Sequence, residues 1–110
     1  MITDLSEDPK IAIKGKPASM VSFFASWCGD SIRCYEYEKA LAEEFKDKVA
    51  FCRFDAVEYE DIADSYGIEH YPTYIFFIKG KPTKGILVEP VTLGQIKNWL
   101  EIKLSRNKIR

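Results

Sequence analysis

The sequence predicts an α/β domain with a central mixed β-sheet of four to five strands and helices on both faces. Three observations lead there. Short apolar runs of strand length alternate with segments of helical periodicity, giving the order β-α-β-α-β-α-β-β-α. The central runs are almost continuously apolar, as in strands covered on both sides. The last two strands have only a turn between them, which brings an antiparallel pair into the sheet. The chain has 110 residues, enough for one domain over residues 1–110 with its own core.

"ITDL" reads as a short first strand. Ser6 is a candidate N-cap for a short helix through "EDPKIAIK", with Pro9 in its first turn and Gly15 beyond its end. Ala18 to Ala25, "ASMVSFFA", is the first buried strand, bounded by Pro17 and the Trp27-Cys28 corner. A helix follows from Ser31 to about Phe45, with Ile32, Tyr35, Leu41 and Phe45 as its apolar positions. Glu36, Glu38, Lys39, Glu43 and Glu44 lie between them as the polar face. "VAFCRFDA" is a second buried strand, "YEDIADSYG" a short helix stopped by Gly67, and "TYIFFI" a third core strand. "KGKP" turns into an edge strand near "TKGILVE". Thr92 and Gln95 have capping-box spacing for a last helix, Leu93 to about Leu104, whose apolar positions are Ile96, Trp99, Leu100 and Ile102. "SRNKIR" is expected to be a frayed, solvated tail.

Composition narrows the function. Hydrophobic residues make up 46% and aromatics 14%, so the chain should fold. Lys and Arg number 16 against 17 Asp and Glu. That balance argues against a nucleic-acid partner, which draws a basic excess. Three cysteines are too few for a disulfide scaffold. No apolar run nears the roughly 20 residues of a membrane span, and the acidic start "MITDLSEDPK" does not read as a secretory signal. A reducing, cytoplasmic setting is the expectation.

Two segments carry chemistry. "VSFFASWCGDS" places Cys28 where a strand hands over to a helix, and "YGIEHYPTYIFFIKGK" follows about 40 residues later. Together with the element order, they make the chain resemble the thioredoxin family from about Val21 to Leu104. The resemblance implies the thioredoxin fold and a thiol–disulfide oxidoreductase needing neither cofactor nor metal. Cys28 falls on the family's nucleophilic cysteine. The physical reading agrees, because free N–H groups and the helix dipole at a helix N-terminus favour a thiolate. Pro72 matches the family's cis-proline. Tyr71 would offer backbone groups to an extended disulfide-bearing peptide, with Trp27, Gly29 and Asp30 beside it.

The departures matter as much. Ser31 stands where the family's W-C-G-P-C motif has its second cysteine, so the two-cysteine cycle is blocked. Ser31 is either native or a substitution that traps partners, and its hydroxyl is expected to donate to the Cys28 thiolate. Cys34 cannot replace the lost thiol. It lies six residues along the same helix, an axial rise of roughly 9 Å, whereas a disulfide needs Cα atoms within about 7 Å. Cys34 and Cys52 read as buried core residues. Ser22 replaces the acid that many family members bury on the preceding strand. Asp30 replaces the motif proline and is expected to oppose the thiolate. Val88-Glu89-Pro90 replaces a groove glycine, so Asp30 and Glu89 should make the groove acidic. His70 reads as an exposed loop residue or as a group that tunes Cys28.

Three functions fit. The first is exchange through Cys28 alone, acting on a disulfide-containing protein or a glutathione adduct and released by an external thiol, in cell redox homeostasis. The second is a redox-inactive binding module. The third is an iron–sulfur carrier like the monothiol glutaredoxins, suggested by "CGDS". It is opposed by the single candidate cysteine ligand and the thioredoxin-like surroundings.

Overall fold

The computed structural model describes residues 1–109; Arg110, the end of the expected tail, lies outside them. The elements in order are β1 (Ile2–Leu5), α1 (Pro9–Ala12), β2 (Ala18–Phe24), α2 (Gly29–Glu44), β3 (Ala50–Asp55), α3 (Glu60–Ser65), β4 (Thr73–Ile78), β5 (Lys81–Pro82), β6 (Leu87–Val88) and α4 (Leu93–Arg106). The sheet is mixed, in the order β1-β3-β2-β4-β5, with β6 also pairing β4. β1 and β2 run parallel to β3, while β4 runs antiparallel to β2.

Period-two alternation distributes the side chains between two cores. Met20, Phe51, Tyr74 and Phe76 face α2 and α4, meeting Leu41, Ile96 and Leu100. Val21, Phe23, Phe54, Ile75 and Phe77 face the other way, packing with Ile13 and Ala63. Phe23, Phe54, Phe76 and Phe77 are fully buried, each contributing about 2–3 kcal/mol by area. β2 therefore lies at the sheet centre, and its C-terminal end delivers the Trp27-Cys28 corner.

Several expectations change at the element ends. Asp8, not Ser6, caps α1, accepting from the Lys10 amide at 3.0 Å. Pro9 at the first helical position sets this boundary, since its fixed φ suits a helix start. The expected single edge strand is divided. β5 pairs Phe77 and Ile78, β6 pairs Thr73 and Tyr74, and a loop containing Gly85 (φ 82°) lies between. Pro82 offers no amide to continue the ladder. α4 runs two residues past Leu104, and Asn107 then bonds back to the Lys103 carbonyl at 2.8 Å. The tail is thus tied down rather than frayed as far as Ile109, which packs on the α2/α4 core.

The buried stripe of α2 also differs from the expected one. Ser31, Cys34, Glu38, Leu41 and Ala42 are its buried residues, whereas Ile32 is 60% exposed. The spacing starts one residue earlier than the apolar letters suggest, because a serine, a cysteine and a glutamate occupy core-facing positions. Ile102 on α4 is likewise exposed, and Trp99 is half-buried, its indole N–H donating to the Gly85 carbonyl at 2.8 Å.

Candidate functional site

Cys28 is the N-cap of α2, with extended backbone (φ −83°, ψ 123°). Its amide donates to the Ala25 carbonyl and its carbonyl accepts the Ile32 amide, closing the corner between β2 and α2. The Cys28 thiol is partly exposed and donates to the Tyr71 carbonyl, Sγ to O 3.6 Å. The Tyr71–Pro72 peptide bond is cis. Trp27, 67% exposed, sets its ring edge-on to Tyr71, with centroids 5.9 Å apart. A Cβ added to Gly29 would meet nothing within 4 Å, so the approach beside Cys28 is open. Cys28, Trp27, Gly29 and Tyr71 therefore form one surface, with the cis-proline Pro72, itself buried, next to Tyr71.

The other thiols are different. Cys34 and Cys52 are fully buried, in the two opposite cores. Burial pushes the Cys52 thiol up to about 11. Burial also raises Cys34, whose thiol donates to the Pro90 carbonyl at 3.6 Å. Both remain protonated at neutral pH. α2 is continuous from Gly29 to Glu44, so nothing brings Cys34 toward Cys28.

Three expectations about neighbouring groups need correction. Ser31 is buried, and its hydroxyl accepts from the Ala25 amide at 3.3 Å rather than bonding Cys28. It lies on the core face of α2, aimed at the end of β2, and so supports the corner from beneath. Asp30 does not stand as a free negative charge beside the thiol. Arg33 pairs with it at 2.7 Å and also donates to the Pro90 carbonyl at 3.0 Å. Glu89 faces the exposed His70, Nδ1 to Oε1 3.7 Å. Each carboxylate of the expected acidic groove thus has a basic neighbour, and His70 is engaged with Glu89. Glu89 adopts the left-handed backbone (φ 47°) that glycine favours, with its amide donating to the Pro72 carbonyl at 2.9 Å.

Ser22 does not leave the site without a buried acid. Glu38, read from sequence as part of the polar helix face, is 1% exposed. Its Oε2 accepts from the Tyr74 hydroxyl at 2.6 Å and the Ser22 hydroxyl at 3.1 Å. Oε1 lies 3.4 Å from Arg53 Nε. The Arg53 guanidinium is stacked between Phe24 and Tyr35, 3.7 and 4.3 Å from the ring centroids. Burial raises the Glu38 carboxyl above the usual range, while Tyr74, Arg53 and Ser22 pull it back. Projecting the Leu41–Phe45 spacing toward the helix start reaches positions 38, 34 and 31, the signal that could have revealed Glu38.

Among the described residues, no group of three or more His, Cys, Asp or Glu side chains is arranged to hold a metal ion. No described helix is long and apolar enough to cross a membrane.

A family model for thioredoxin matches residues 6–102. Chloroplastic thioredoxin Y of Oryza sativa subsp. japonica is 33% identical over 92 residues, covering 81% of this chain and 55% of that protein. Protein disulfide isomerase-like 1-3 of Arabidopsis thaliana is 36% identical over 87 residues, 79% of this chain and 15% of that protein. The chain spans about half the length of the thioredoxin Y relatives that it matches. The solution structure of oxidised thioredoxin from Plasmodium falciparum has a TM-score of 0.81 at 19% identity, covering 94% of this chain and 98% of that one. That likeness concerns the fold, and with the family match and the sequence identities it leads to one conclusion: the chain belongs to the thioredoxin family.

Proposed function

We propose that this protein performs thiol–disulfide exchange through Cys28 alone, in a reducing compartment such as the cytoplasm. The observation that carries the reading is the contrast among the thiols. Cys28 is partly exposed at a helix N-terminus against the Tyr71 carbonyl, while Cys34 and Cys52 are buried and held protonated. The Cys28 thiolate attacks one sulfur of a disulfide R–S–S–R′. A Cys28–S–S–R bond forms and R′S⁻ leaves, taking a proton from solvent. A thiolate from outside, glutathione or a similar small thiol, attacks sulfur R; a disulfide between R and the small thiol forms, the bond to Cys28 breaks and its thiolate returns, and a second small thiol then reduces the new disulfide. Tyr71 offers its carbonyl and amide to an extended substrate segment, and the exposed Trp27 covers one side of it.

Ser31 holds the corner but has no sulfur to resolve the mixed disulfide. Turnover of a protein disulfide should therefore depend on an added thiol. Ser31→Cys should release reduced substrate in the first turnover at a rate that no longer scales with glutathione, while the internal disulfide left behind still needs external thiol for each further turnover. Stopped-flow measurement of insulin disulfide reduction, with glutathione varied, checks both. Release of reduced insulin by the Ser31 protein in a first turnover without added thiol would contradict the single-cysteine cycle. Unchanged activity in Cys28→Ala would overturn the Cys28 reading, and no activity in either protein would leave the binding-module reading in its place.

A further inference from the structure

Ser22 stands opposite Arg53 on β3 and opposite Tyr74 on β4, so the three side chains form one row across the sheet. Glu38 reaches this row from α2. Side chains on a helix lean toward its N-terminus, here the Cys28 end. One carboxylate thus bonds the strand that enters the Cys28 corner, the strand that leaves Pro72, and faces the guanidinium of the third. It belongs to the helix that Cys28 caps.

We propose that Glu38 is a positioning residue for Cys28, holding β2, β4 and α2 in register around the thiol and setting by its charge how readily the thiolate forms. This rests on the Cys28 reading above. The groups that face Glu38 are Tyr74 from β4, Ser22 from β2 and Arg53 from β3, with Tyr35 stacked on Arg53. Cys34, one turn nearer Cys28, is kept protonated by burial first and by the Glu38 charge among smaller influences. When Glu38 is ionised its charge opposes a thiolate and offsets Arg53. When it is neutral, Arg53 acts unopposed and favours one. The raised carboxyl affinity for protons brings this change closer to neutrality than an exposed glutamate would. A charge on the order of 10–15 Å away along the helix, at an effective dielectric of about 20, alters the thiolate equilibrium by about six- to seventeenfold.

The test follows alkylation of Cys28 in the full chain by neutral iodoacetamide between about pH 5 and pH 9, with each cysteine mapped by mass. The wild-type profile should depart from a single ionisation curve. Glu38→Gln should reduce it to one ionisation and raise the rate near pH 7 by about six- to seventeenfold. Tyr74→Phe keeps the carboxylate but removes a hydrogen bond that favours its charged form. It should move the Glu38-linked inflection to higher pH. It also serves if Glu38→Gln folds poorly. Profiles of unchanged shape in both variants, whether or not the rates fall uniformly, overturn the proposal while leaving Cys28 as nucleophile. Slow labelling of wild-type Cys28, no faster than Cys34, overturns the exchange reading instead, and the response of the profile to Glu38 is read independently of it.

Discussion

At the residue scale, the site depends on which polar groups are paired. Arg33 joins Asp30 to Pro90, and His70 faces Glu89. From sequence, Asp30 and Glu89 were visible as carboxylates but their partners were not, because Arg33 reaches Pro90 across 57 positions of chain. Glu38 was hidden for another reason: a glutamate among lysines and glutamates looks solvated until the sheet row beneath it is known. Its burial has a consequence for stability. A carboxyl that binds protons more tightly in the folded state adds stability that is fully present below its unfolded value of about 4.3 and is lost as pH rises through the folded value. Wild type should therefore lose ground to Glu38→Gln as pH increases from about 4 to 8, other titrations cancelling in the difference. Urea denaturation of both proteins across that range checks the sign. A difference independent of pH would mean that Glu38 titrates normally.

At the element scale, the legible features were those specified locally. The capping box of α4 is present as spaced in sequence. Thr92 Oγ1 accepts from the Gln95 amide at 3.2 Å, and the Gln95 side chain accepts from the Thr92 amide at 3.2 Å. Thr92→Ala should cost about 1 kcal/mol, within the range of 0.5–2 kcal/mol for lost caps, measured as a shift in the urea midpoint at unchanged slope. No change would mean that tertiary packing of Ile96, Leu100 and Leu104 alone fixes the helix start. The less legible elements depend on partners. The division of the edge into β5 and β6 follows from Pro82, Gly85 and the Trp99 bond to Gly85, which join residues from a turn and a helix. The shift of the α2 stripe has the same origin. Ser31 and Cys34 are buried because Ala25 and Pro90 supply polar partners for them, and periodicity of apolar letters does not contain that information.

At the scale of the whole molecule, the alternation of apolar runs and helical patterns was enough to indicate a mixed sheet with helices on both faces. The reason is physical: β2 and β4 must be covered twice, and only helices on both sides do so. The two cores that result fix the separation of the three thiols. Cys34 is on the core face of α2 toward α4, Cys52 lies on the opposite face of the sheet, and Cys28 alone is on the surface that includes Tyr71. The central claim is that this arrangement leaves one reactive cysteine whose mixed disulfide no internal thiol resolves. The most direct measurement is intact mass and peptide mapping of the native protein after exposure to oxidised glutathione, before and after reduced glutathione is added. The account predicts one glutathione adduct, on Cys28, that persists until the reduced thiol arrives. An adduct distributed among all three cysteines, none at Cys28, or one that disappears without added thiol would contradict it.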